Sequence, residues 1–393
     1  MTTEVADPAR FISRRIQAVP ASGIRKFFDL LSTIDDVISL GIGEPDYVTP
    51  EPFNRAAIAS IERGDTHYTS NYGLLELRER LSEHLCRLYG VKYDPRTEIV
   101  ITSGSSEALD ISMRAILDTD DELLCADPSY VAYLPATVMA GAKFVPVPTY
   151  AANDFRLLPE DVESRITPRT RAILLGYPSN PTGAVMGRED LMAIGEVAAR
   201  HDLAVISDEL YDRLTYDGVH TCFSTLAGQH GRTILIGGFS KTYAMTGWRL
   251  GWVAAPAPLA EALMKVHQYV MMSAPTAAQY AGLAALEQGE AFIAEMKAEY
   301  DRRRRLIVDG LRAVGLPTFE PRGAFYAFPD IRGTGLDSVA FSEELLRDER
   351  VAVVPGSAFG AGGEGYIRCC YASSYEQIER ALERIGRFVQ RRL

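Results

Sequence analysis

Lys241 is the residue around which a reactive site assembles in this sequence. It lies in Gly238-Phe-Ser-Lys-Thr-Tyr-Ala-Met-Thr-Gly-Trp-Arg-Leu-Gly251, among aromatic and hydroxyl residues, with Arg249 eight positions on. An ammonium taken out of water in such a setting loses its proton readily, and the free amine attacks carbonyl groups. A lone lysine more often runs its stem along a surface and keeps its charge in solvent, so this segment alone leaves both readings open. Three further segments supply partners. Val205-Ile-Ser-Asp-Glu-Leu-Tyr211 puts Asp208 at the end of an apolar run, where a carboxylate is costly unless it meets a cation. Thr102-Ser-Gly-Ser-Ser-Glu-Ala108 sets glycine and hydroxyls between an apolar run and a helical pattern, where free backbone N–H groups at a helix start bind an anion of phosphate size. Ala172-Ile-Leu-Leu-Gly-Tyr-Pro-Ser-Asn-Pro-Thr-Gly183 ends another apolar run in a Pro/Asn/Gly turn.

The elements that must position these residues stand between 98 and 255. Short runs rich in β-branched residues, at 98–102, 122–126, 143–147, 171–175, 203–207, 233–236 and 250–254, alternate with helical patterns at 106–117, 131–140 and 189–201. The runs are apolar throughout, as in strands buried on both faces of a mainly parallel sheet, and their alternation with helices marks βαβ units. Ligands of such sheets gather at the carboxyl ends of the strands, where the lysine and aspartate segments lie. The last third reads as a smaller α+β unit. It has a long helix at 292–314 carrying arginines 302–305 on a largely solvated face, strands at 324–328, 351–354 and 366–370, and an amphipathic helix at 375–389. The expected organisation is an N-terminal segment (1–47) packed on the small domain, a large domain (48–285) and a small C-terminal α+β domain (286–393).

Composition bounds the function. With 41 Lys and Arg against 52 Asp and Glu among 393 residues the net charge is −11, which argues against general nucleic-acid binding. A content of 47% hydrophobic and 24% charged residues is ordinary globular usage. Five cysteines include no C-x-x-C pair and six histidines show no metal-binding spacing, so reduced thiols, a cytoplasmic location and no metal are expected. No apolar run approaches a membrane span, and Glu4 and Asp7 precede any apolar stretch, unlike a signal peptide. Gly360-Ala-Gly-Gly-Glu-Gly365 fits G-x-G-x-x-G literally but precedes a strand-like run rather than a helix, so it reads as a plain loop. Gly237-Gly-Phe-Ser-Lys-Thr242 lacks the glycine a P-loop needs before its lysine.

In their order along the chain these segments resemble the pyridoxal-phosphate-dependent aminotransferases of class I/II, fold type I. Gly41-Ile-Gly-Glu-Pro-Asp46, Tyr68-Thr-Ser-Asn-Tyr-Gly73, Asp127-Pro-Ser-Tyr130 and Gly365-Tyr-Ile-Arg-Cys369 extend the match over nearly the whole sequence. The resemblance implies an α/β fold whose large, cofactor-binding domain has a mainly parallel, seven-stranded sheet. It implies that Lys241 forms the internal aldimine with pyridoxal 5'-phosphate and shuttles the proton, and that Asp208 pairs with the pyridine nitrogen. Asn180 and Tyr211 would hydrogen-bond the phenolate oxygen, and Tyr130, where relatives often have Trp, would stack on the ring. Ser105, Ser106, Ser240 and Arg249 would hold the phosphate, with Tyr68 reaching that of a second subunit, so a homodimer with composite sites is implied. Arg368 would grip the substrate α-carboxylate, which Asn180 also touches, and Gly43 would let backbone approach the substrate.

The function expected on this resemblance is ping-pong transfer of an amino group from an L-amino acid to a 2-oxo acid. A C–S β-lyase or another lyase on the same fold is the alternative, since it would use the same Lys, Asp and Arg. A ligand-sensing effector domain is disfavoured, because the catalytic set is intact and no helix-turn-helix extension is present. Ala21-Ser-Gly-Ile-Arg-Lys-Phe27 and Lys265-Val-His-Gln-Tyr269 resemble a subgroup holding aromatic-amino-acid and N-acetyl-diaminopimelate aminotransferases. Ile42, Tyr72 and Tyr133 are candidate walls for an aromatic, apolar or long side chain, equally suited to the core, and no residue stands out to pair with a second substrate carboxylate.

Overall fold

Stretches that are apolar on both faces have one stable use in a chain of this length, as inner strands covered by helices on either side. The computed structural model, which describes residues 7–20 and 36–392, builds them into a seven-stranded sheet. After the two-residue strand β1 (Ile38–Ser39), its members are β2 (Ile99–Thr102), β3 (Glu122–Asp127), β4 (Lys143–Pro148), β5 (Thr170–Gly176), β6 (Ala204–Asp208), β7 (Thr233–Gly238) and β8 (Gly251–Ala254). The spatial order is β2-β8-β7-β6-β5-β3-β4. Only β8 runs against its neighbours; every other pairing in the sheet is parallel.

The helices of the large unit are α1 (Glu51–Glu62), α2 (Leu75–Tyr89), α3 (Ser105–Ile116), α4 (Tyr133–Ala140), α5 (Arg188–Arg200), α6 (Ala257–Val270) and α7 (Thr276–Gln288). Alternate strand residues go to opposite faces, as the pleat requires. Leu123, Leu174, Ile206 and Ile236 pack with Ile111 of α3 and Leu263 of α6. Leu124, Ile173 and Val205 pack on the other face with Ile194 of α5.

The smaller unit gathers α8 (Glu290–Ala313), β9 (Tyr326–Ala327), α9 (Ser338–Glu349), β10 (Val351–Ala352), β11 (Val354–Pro355), β12 (Ile367–Cys370) and α10 (Tyr375–Gln390) around one core. Strand β1 pairs with β10 in parallel, while β11, β12 and β9 form a separate antiparallel sheet. Leu40 joins the two, donating its N–H to Ala352 O and accepting the N–H of Cys370. No helix among the described residues is long and apolar enough to cross a membrane.

Two local expectations are corrected. The 351–354 run is two strands, not one, because the chain leaves one sheet and enters another at Val353. Arginines 302–305 do not share a solvated face, since Arg303 and Arg304 are buried. Their planar forks are satisfied on several sides, which makes the burial tolerable. Arg303 grips both Asp46 oxygens (2.9 and 2.8 Å), and Arg304 reaches Asp301 (2.8 Å), Glu320 (2.8 Å) and Pro321 O (3.0 Å). Arg304→Met keeps the stem but removes these donors and should cost about 2 kcal/mol in urea unfolding. Arg302→Met, at an exposed position, should leave the urea unfolding midpoint nearly unchanged. Equal losses for the two would show that the burial of Arg304 carries no weight.

Candidate active site

Parallel strands deliver their carboxyl ends to one edge, and five of them open into the candidate residues there. Beyond β2 come Ser105 and Ser106; beyond β3, Tyr130; beyond β5, Asn180; beyond β7, Ser240 and Lys241; and Asp208 closes β6 itself. The reversed strand β8 adds a sixth contribution. It starts at the edge where its neighbours finish, so Arg249, just before it, returns to the side of Lys241. A cavity of about 250 Å³ at this edge is lined by all of these residues, together with Gly43, Tyr211 and Arg368. Tyr68 is not on its wall; it is exposed on the surface.

The Lys241 Nζ donates to Gly43 O at 2.7 Å, and burial lowers its pKa to about 8. Gly43 is required by space, because a Cβ there would lie 2.5 Å from the Tyr326 hydroxyl. Asp208 accepts from the Tyr133 hydroxyl (2.9 Å) and from Leu210 N (3.2 Å), and burial pushes its carboxyl up to about 6. No basic side chain among the described residues bonds to it, so its environment asks for a positive donor from outside the chain.

At the start of α3, Gly104 has φ 78° and Arg249 φ 52°, both left-handed. A Cβ on Gly104 would stand 2.6 Å from Arg249 Nη2, and one on Gly251 would press on Ser105 N at 2.5 Å. The glycines thus let a guanidinium and a helix N-terminus close on one small space. Arg249 is tied to Thr246 O (3.0 Å) and lies 3.5 Å from Ser106 Oγ, leaving its fork turned towards the free N–H groups of α3. Opposite, Arg368 is 3% exposed. It donates to Asn180 Oδ1 (2.9 Å) and Gly41 O (2.7 Å), while its Nε is buried without a partner.

Two aromatic residues matter beyond the sequence reading. Tyr326, hidden in a strand-like run, hydrogen-bonds the Tyr211 hydroxyl at 2.8 Å and lays its ring 4.5 Å from the Arg368 guanidinium. Tyr133, seen only as a possible wall, anchors Asp208 and meets Tyr130 edge-to-face. Nothing in the local sequence separates it from a core aromatic; its role appears only because it opens α4, where its hydroxyl reaches Asp208. Ile42 is exposed, Tyr72 packs against the core, and residues 21–27 lie outside the described residues. The glycine-rich 360–365 segment seats Asp127, whose Oδ2 accepts the N–H of Gly362 (3.0 Å), and opens no long helix.

A buried amine, an acid awaiting a positive donor, and an anion cradle fit pyridoxal 5'-phosphate, which carries an aldehyde, a basic ring nitrogen and a phosphate. The family model for aminotransferase class I and II matches residues 35–385. The chain is 44% identical over 382 residues to the aromatic-amino-acid aminotransferase 2 of Thermococcus litoralis, covering 96% of this chain and 98% of that protein. It is 45% identical over 382 residues to an aspartate aminotransferase of Pyrococcus abyssi, with the same coverage of 96% and 98%. The solved structure of an aromatic aminotransferase from Pyrococcus horikoshii matches with TM-score 0.89 at 47% identity, covering 93% of this chain and 99% of that one. The chain belongs to the class I and II aminotransferases and is a pyridoxal-phosphate-dependent enzyme of their fold.

The Tyr133 contact gives a titration test. Its hydrogen bond favours the charged carboxylate, so Tyr133→Phe should move the Asp208 midpoint upward from about 6. A bond to a charged group worth about 1.5 kcal/mol corresponds to about one pH unit. Infrared titration of the carboxyl band in cofactor-free protein reads the midpoint, and an unmoved value would show that the contact does not govern Asp208.

Proposed function

We propose that this class I and II aminotransferase acts on amino acids with aromatic or large apolar side chains, passing the amine to a 2-oxo acid. The carrying observation is the charge inventory of the cavity. Its walls hold three basic side chains, Lys241, Arg249 and Arg368, each already committed, and none is left among the described residues for a second carboxylate. The rest of the wall offers Leu109, Tyr130, Tyr133, Pro178 and Tyr326, a surface that rewards apolar contact. The T. litoralis and P. horikoshii relatives, named as aromatic aminotransferases, support the aromatic part of this reading.

Bound pyridoxal phosphate supplies a carbon that takes up the amine and a ring that accepts electron density. The protein does the rest. Lys241, whose pKa burial lowers to about 8 so that it gives up its proton more readily than a free lysine, is the group to hold the cofactor and then to carry the proton taken from substrate Cα. Asp208 holds the proton on the pyridine nitrogen, and Tyr211 and Asn180 donate to the phenolate oxygen. Tyr130 covers one ring face, while Ser105, Ser106, Ser240 and Arg249 hold the phosphate. Arg368 takes the α-carboxylate of donor and acceptor in turn, beside Asn180 and over Gly43. The Arg368 Nε, buried without a partner, supports this role, since a carboxylate would satisfy it.

The assembly we infer is a homodimer in the cytoplasm. Tyr68, Tyr269, Val270, Met271 and Met272 are exposed apolar residues, and the loop of Tyr68 is tied to the start of α7 by Thr276 Oγ1 to His67 O (2.9 Å). A second copy covering this surface would bring Tyr68 to its phosphate site.

A panel of amino donors tests the substrate class. Phenylalanine, tyrosine and leucine should exceed aspartate in kcat/KM by at least roughly tenfold, the worth of an unpaired buried carboxylate. Aspartate as the best donor would overturn the reading. Two arginine variants separate the grips. Arg368→Lys should raise KM for every amino and oxo acid by about 1–3 kcal/mol equivalent with cofactor retained. Arg249→Lys should lose cofactor on dialysis while its substrate preference persists, and the reverse pattern would exchange the two roles.

A further inference from the structure

Behind the cavity lies a buried ionisable pair that the chemistry above does not use. Glu107 stands in the first turn of α3 and His267 in the last turn of α6. Both side chains are withdrawn from solvent, that of His267 completely. His267 Nδ1 and Glu107 Oε1 are 2.6 Å apart, and Glu107 Oε2 accepts the N–H of Ser103. His267 Nε2 is buried without a partner, so the contact with Glu107 is the ring's one polar tie. Two polar side chains drawn out of water from different helices need a compensating reason.

Position supplies it. Ser103 joins the end of β2 to Gly104 and Ser105, the backbone that opens the anion cradle. A side chain that fixes Ser103 therefore fixes the direction of the N–H groups that follow. The same carboxylate is also a liability, because a negative group in the first turn of α3 repels an anion bound at that terminus. Two donors, Ser103 N–H and His267 Nδ1–H, turn the carboxylate back into the protein and offset its charge.

We propose that Glu107 and His267 are positioning residues for the cofactor phosphate. Glu107 orients the cradle through Ser103, and His267 neutralises the cost of a carboxylate beside the phosphate. This rests on the reading that the Ser105, Ser106 and Arg249 cradle takes that phosphate.

The test measures the affinity of cofactor-free full-length protein for pyridoxal 5'-phosphate and for pyridoxal, and follows their ratio. His267→Leu fills the ring's space without a donor and should lower the ratio roughly tenfold, with pyridoxal affinity unchanged. His267→Asn, whose amide places a donor near Nδ1, should keep most of the ratio. Adding Glu107→Gln to His267→Leu removes the unbalanced charge and should restore the ratio to within a few-fold of wild type. A ratio unchanged in His267→Leu, an equal fall for both ligands, or no restoration by Glu107→Gln would overturn the proposal. Should His267→Leu not fold, Glu107→Gln alone decides against Glu107→Leu. The first must keep the ratio and the second must lose it; any other pattern overturns the proposal. Arg249→Lys is the control that separates the two readings. If it too leaves the ratio at the wild-type value, the cradle reading fails; if it lowers the ratio and His267→Leu does not, the role of the pair alone fails.

Discussion

An amine and a carboxyl group are withdrawn from water at the same sheet edge without being allowed to pair. Had Lys241 and Asp208 met, each would stabilise the other's charge and both would be spent. Instead the lysine rests on a backbone carbonyl and the acid on a phenol and an amide, and burial drives both towards their neutral forms, at about 8 and about 6. That unspent polarity is what lets a flat ligand with a basic nitrogen and a carbonyl carbon satisfy both groups. Much of the surrounding architecture keeps the two apart while holding each in place.

Strand direction makes this separation possible. Adjacent parallel strands β6 and β7 each lead to one of the two groups: Asp208 closes β6, opposite Ile236, and Lys241 follows three residues after β7 ends. The reversed strand β8 then lets the connection over residues 239–250 stay at this edge, so that Lys241 and Arg249 lie on one loop, where a parallel strand would take the chain to the opposite edge and back. Gly104 and Gly251 remove the side-chain volume that would block this return, so the anion cradle is a product of packing as much as of charge.

The sheet was readable in the sequence because its strands are apolar on both faces, and this signal survives without knowledge of the partners. The lysine, the acid and the hydroxyl cradle were readable because each adjoins such a strand. What the sequence hid depends on contacts between distant segments. Tyr326 looks like any core aromatic until Tyr211 and Arg368 are seen on either side of it. Arg303 and Arg304 read as surface charges, since nothing local announces Asp46 or Glu320 as partners. The break at Val353 has no compositional mark, because both halves are equally apolar and only their sheet partners differ.

That break has a mechanical consequence. Leu40 is hydrogen-bonded to Ala352 on one side and Cys370 on the other, and the chain from β10 to β11 passes between the two ladders in a single residue. Gly41, next in line, accepts from Arg368. The segment that covers Lys241 and the strand that bears Arg368 are thus tied to each other through consecutive residues, Leu40 and Gly41, so the backbone under the lysine and the clamp on the carboxylate share one anchor.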